Sequence, residues 1–107
     1  SFLRMGYDVA LCHHEMWDGS GYGQGLVGEE IPLSARILKV ADCYDALTTW
    51  RPYKKRWTHE DAIAHVVKFG GSEFDPIVAA TLRRMGDRLN CLRLSLSDDI
   101  HINLKTV

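Results

Sequence analysis

The sequence predicts an all-α protein, a helical bundle interrupted by one long glycine-rich loop. Three observations lead there. Apolar residues recur at spacings of three and four in several stretches. Helix-starting residues stand ahead of those stretches, and glycine or proline stands behind them. Between residues 18 and 28 the chain places Gly19, Gly21, Gly23, Gly25 and Gly28, too many for a stable helix or strand. At 107 residues the chain is one small domain at most.

Taken in order, residues 2–15 carry Leu3, Tyr7, Ala10 and Leu11 in a helical rhythm that ends at His13-His14-Glu15. The glycine-rich loop follows, and long loops in small domains are more often functional than idle. Pro32 and Ser34 open a second helix, with Leu33, Ile37, Val40, Ala41, Tyr44 and Leu47 along an apolar face. It stops near Trp50, because Pro52 disfavours helical geometry at the residue before it. Thr58 with Asp61 three residues on resembles a capping box, and opens a third helix that Gly70-Gly71 closes. Asp75 and Pro76 supply an N-cap and a first-turn proline for a fourth helix to about Arg88. From Leu89 the pattern Leu92, Leu94, Leu96, then Ile100, Ile102, Leu104 hints at period two, a strand or an extended tail. The chain thus divides into residues 1–88 and a tail, 89–107.

Composition excludes several classes. Thirteen basic and fourteen acidic side chains leave a net charge of −1, which argues against broad binding to nucleic acid or a membrane surface. No apolar run approaches the ~18 residues that suggest a membrane span. Cys12, Cys43 and Cys91 are odd in number and widely spaced, without a CxxC. A disulfide framework does not fit, and a reducing cytoplasm does.

Chemistry concentrates in two places. His13 and His14 stand at the end of the first helix, where neighbours point roughly 100° apart. They read either as donors to two neighbouring ions or as polar residues suited to a helix end. Asp42 falls within an apolar helix face, and a buried carboxylate is costly unless it is paired or binds a cation. Imidazole plus carboxylate suits iron, manganese, zinc or nickel, and such ions suit phosphate-ester hydrolysis. Glu15 either orients one of the histidines or is solvated. Arg51, Lys54, Lys55 and Arg56 put four cations in six residues, a grip for phosphate or a solvated basic loop. Tyr22, between glycines, either meets a base or phosphate or plugs its own loop. His59 and His65 read as surface or core.

The string His13-His14-Glu15, then Trp17-Asp18-Gly19-Ser20-Gly21-Tyr22, resembles the HHE-xx-DGxGYP signature of the HD-GYP family, a branch of the HD phosphohydrolase superfamily. Agreement continues through Ala35-Arg36-Ile37, Val40-Ala41-Asp42, Tyr44-Asp45-Ala46-Leu47 and Arg51-Pro52-Tyr53-Lys54, covering about residues 3–85. The resemblance implies a cytoplasmic, bacterial signalling phosphodiesterase that hydrolyses cyclic di-GMP to pGpG or GMP. It implies two or three divalent ions, iron or manganese, with His13, His14 and Asp42 among their ligands and a hydroxide held between them as nucleophile. Tyr22, Arg51 and Lys54 correspond to the contacts with the cyclic dinucleotide. An N-terminal receiver or sensor domain and a homodimer are further expectations.

Two departures qualify it. Gly23 stands where the family has the proline of GYP, which frees the loop. No His-Asp pair occurs in the chain; the family's HD dyad and its other ligands lie upstream of HHE. Three ligands do not close an octahedral cluster, so no catalytic residue is assigned within these 107 residues. The chain alone is expected to be inactive: part of an active phosphodiesterase or, alternatively, a truncated or degenerate module that binds cyclic di-GMP or protein without catalysis.

Overall fold

The computed structural model describes residues 1–50 and 52–106, with side chains through residue 96. Four helices follow in order: α1 (Phe2–Cys12), α2 (Leu33–Thr48), α3 (His59–Lys68) and α4 (Pro76–Thr106). A single 3-10 turn, Gly28–Glu30, interrupts the loop between α1 and α2. Among the described residues there is no strand, and the chain is all-α as its pattern predicts. No described helix is long and apolar enough to cross a membrane.

The helix starts follow local cap chemistry. Ser1 accepts the Arg4 amide at α1, and Thr58 accepts the Asp61 amide at α3, each satisfying a first-turn donor that has no partner within its helix. At α4 the Asp75 carboxylate accepts the Ile77 amide at 2.8 Å, with Pro76 needing no partner because it has no N–H. Gly71, at φ +95°, turns the chain out of α3.

Two clusters hold the helices together. Val40, Val66, Phe74 and Ala79 join α2, α3 and α4, flanked by Cys43, Phe69, Val78 and Leu82. Cys12, Ile31 and Ala35 tie the end of α1 and the loop to the start of α2. Between α2 and α3 the buried Tyr44 hydroxyl meets His59 Nδ1 at 2.8 Å, so His59 belongs to the core. Arg36 binds the buried Asp75 carboxylate at 2.8 Å and donates to the Ile31 carbonyl at 2.8 Å. That one guanidinium links α2, the loop and the N-terminus of α4. Burial pushes Asp75 upward, but Arg36 and the Ile77 and Val78 amides outweigh it and hold the carboxyl below the usual aspartate range.

Two expectations are corrected. The stretch from Leu89 is neither a strand nor extended: α4 continues without a break to Thr106. The alternation of Leu92, Leu94 and Leu96 is short, and no proline or glycine after Gly86 stops the helix. Asp42 is exposed rather than interior. The reason is that α2 has two inward faces. Val40, Tyr44 and Thr48 are buried on one, while Ala35, Leu38 and Asp42, at helical spacing, look toward α1. That second face is only partly covered, because α1 buries Cys12 alone and leaves Phe2 at 87 % and Leu3 at 83 % exposure.

Candidate functional site

The glycine-rich loop leaves α1 at His13 and returns to α2 at Pro32, and its shape is imposed by one buried acid. Glu15 is 1 % exposed. Its carboxylate accepts the backbone amides of Gln24, Gly25 (3.1 Å) and Leu26 (2.9 Å). Three amide donors satisfy a charge that burial would otherwise penalise. Glu15 therefore clasps the loop; among the described residues it makes no hydrogen bond to either histidine. Sequence reasoning missed this role, since the partners are main-chain groups nine to eleven residues away.

Two glycines are required by this path. A side chain on Gly21 would collide with the His14 carbonyl and the Met16 amide, so only glycine lets the loop press back on the histidine turn. Gly23 sits at φ +123°, where a Cβ would meet Glu15 Oε1 at 2.8 Å. Proline, fixed near φ −65°, does not fit there. The loop also docks on the turn before α4, with the Trp17 and Asp18 amides donating to the Glu73 and Ser72 carbonyls at 3.2 and 2.9 Å.

This arrangement sets the candidate residues as follows. The Tyr22 amide donates to the His14 carbonyl at 3.1 Å, and the Tyr22 ring stacks on His14 with centroids 4.4 Å apart and planes 19° from parallel. Both rings are exposed. The His13 ring lies 3.9 Å from that of His14, tilted by 43°. His13 Nδ1 meets the Ala10 carbonyl at 2.7 Å. A carbonyl only accepts, so Nδ1 carries a proton, and in the neutral ring Nε2 is the nitrogen left to bind an ion.

His13 and Asp42 line one cleft of about 520 Å³ between α1 and α2, together with Leu38, Lys39, Cys43 and Glu73. Burial and Glu73 push the Cys43 thiol upward, against a weaker pull from Lys39 and Lys54, so Cys43 is a neutral thiol at neutral pH. Lys54 turns back toward α2, its Nζ 3.4 Å from the Ala46 carbonyl, one turn beyond Asp42. Arg51 lies outside the described residues.

The donors suit a borderline divalent ion: one imidazole with its proton anchored on a carbonyl, and a carboxylate across the cleft. Their number does not suffice. Among the described residues no three His, Cys, Asp or Glu side chains gather closely enough to hold an ion.

Residues 2–78 match the family model described as HD domain. The chain belongs to the HD domain family. The HHE and DGxGY strings that resemble the HD-GYP branch lie within the matched residues. It is 52% identical over 83 residues to the cyclic di-GMP phosphodiesterase response regulator RpfG of Xanthomonas campestris pv. campestris, covering 78% of this chain and 22% of that protein. It is 41% identical over 98 residues to a cyclic di-GMP phosphodiesterase of Vibrio cholerae, covering 92% and 20%. A third relative is the 3'3'-cGAMP-specific phosphodiesterase 2 of Vibrio cholerae, 38% identical over 96 residues, covering 90% and 18%. The chain thus spans roughly a fifth of the length of these relatives. Within this HD domain segment, the loop and the α1–α2 cleft are the parts rich in candidate chemistry.

Proposed function

We propose that this HD domain segment is the loop-bearing part of a cyclic dinucleotide phosphodiesterase acting in bacterial second-messenger signalling in the cytoplasm. The observation that carries the reading is the adjacency of two kinds of group. His13 and Asp42 share a cleft, and the Tyr22 ring stacks on the neighbouring His14. Metal donors beside an exposed aromatic suit a phosphodiester that carries a planar base.

In this reading His13, His14 and Asp42 each contribute to a set of two or three ions, iron or manganese, completed by an upstream HD half. Such ions neutralise phosphate charge and supply a nucleophile at neutral pH. The chain's own residues bind and aim the substrate. Tyr22 meets a base or phosphate from a loop that Glu15 keeps in place, and Lys54 with Arg51 neutralises the phosphates. Cyclic di-GMP is the substrate that most of the relatives favour; 3'3'-cGAMP is the competing one, as a relative specific for it shows comparable identity.

The test is made on the full-length protein. Asp42→Ala is expected to lose iron or manganese by elemental analysis and cyclic di-GMP turnover with it. Lys54→Ala and Arg51→Ala are expected to keep the metal and raise KM by roughly tenfold or more, as for a lost charge-assisted hydrogen bond. Unchanged metal content in Asp42→Ala would remove the ligand assignment. Faster turnover of 3'3'-cGAMP than of cyclic di-GMP would reassign the substrate.

A second reading, a module that binds without hydrolysis, is favoured by Gly23, whose conformation excludes the family's proline. It predicts cyclic di-GMP binding by the full-length protein with no bound metal and no turnover.

A further inference from the structure

The long helix α4 carries a feature that neither the cleft nor the loop uses. At ~1.5 Å per residue its 31 residues span about 46 Å, against 48 Å for the longest dimension of the whole chain. Its first turns are covered: Ala79 is buried, and Val78 and Leu82 pack on the α2–α3–α4 core. Gly86 lies against the His59 ring at the first turn of α3. Beyond that point α4 runs past the end of α3.

Its apolar pattern does not stop there. Val78, Leu82, Met85, Leu89, Leu92 and Leu96 alternate at spacings of four and three, the repeat that keeps one seam facing a second helix. Met85 is 53 % exposed, Leu92 57 % and Leu96 54 %. Leu89 is half-buried, but at Met85, Leu92 and Leu96 the spacing continues a packing surface that the described residues leave exposed.

Charge selects the occupant. Arg83, Arg84, Arg88 and Arg93 all stand on this stretch of α4, with Asp87 the one acid between residues 83 and 93. Arg84 and Arg93 reach only the neutral Thr81 and Asn90 side chains, and among the described residues none of the four is ion-paired. Arg88 and Arg93 take the positions that flank the seam. A parallel pairing of two copies sets Arg88 of one against Arg93 of the other. Like charges at these positions disfavour self-pairing.

We infer that residues 85–96 of α4 dock an amphipathic helix of another protein, one with a leucine-type seam and Asp or Glu flanking it. The association is a two-helix coiled coil in which the partner's acids answer Arg88 and Arg93. A parallel homodimer through this seam is the arrangement that the charges oppose.

The experiment uses the full chain and two designed three-heptad peptides, each with leucine at both seam positions, one flanked by glutamate and one by lysine. By titration calorimetry at low salt, the glutamate peptide is expected to bind at least tenfold more tightly. Leu92→Asp is expected to weaken it at least tenfold with helicity unchanged by circular dichroism. Arg88→Glu with Arg93→Glu should invert the preference toward the lysine peptide, a readout that simple misfolding does not produce. Equal affinity for both peptides would overturn the inference. So would self-association in sedimentation without peptide, or uptake onto phosphatidylserine vesicles in place of peptide binding.

Discussion

The two inward faces of α2 differ in what they are built to do. Along one, Val40, Tyr44 and Thr48 are buried against α3 and α4, and polar atoms there are matched, as Tyr44 with His59. Along the other, Leu38 and Asp42 border an open cleft, and the Asp42 carboxylate is exposed. One helix thus carries stability on one side and chemistry on the other. The lesson is that a carboxylate in an apolar sequence context need not be buried, because a helix between two neighbours shows two stripes that overlap in sequence.

Substitutions should separate the two sides. The largest effect is expected on the anchored end, at Asp75→Ala, which removes the α4 cap and leaves Arg36 partly buried without its partner. Breaking a buried pair costs about 3–5 kcal/mol, read as a shift in the urea midpoint. The same pair sets a pH dependence. Asp75 titrates lower in the folded chain than in the unfolded one. Its stabilisation is therefore complete above the ordinary aspartate value of about 3.9 and is lost as pH falls from there through the folded value. Asp75→Asn should flatten that acid limb of a stability profile. Tyr44→Phe, which deprives the buried His59 of its partner, should cost about 1–2 kcal/mol. Asp42→Asn should change stability by no more than about 0.5 kcal/mol. A large loss at Asp42 would erase the contrast between the faces.

Much of this architecture is legible in the residues themselves because cap chemistry is local. Thr58, Asp75 and Pro76 act within three residues of where they stand, and each opens the helix that it predicts. The histidine turn and the glycine-rich loop are legible for the same reason. What escapes is set by distance along the chain. Glu15 gives no sign of its role, since its carboxylate serves amides across the loop. Arg36 and Asp75 meet across 39 positions, a pairing that no local pattern announces. The far part of α4 was obscured by leucines two apart, which overlay a three-and-four spacing with a false alternation.

The hydrogen bond from His13 to Ala10 has a consequence of its own. An imidazole tethered to the carbonyl of the preceding turn takes its direction from that turn, so its aim is only as steady as the final winding of α1. Helix ends are where local opening is cheapest. Whatever settles on the bare phenylalanine and leucine at the other end of α1 would stiffen the rod and, through it, steady a nitrogen more than two turns away.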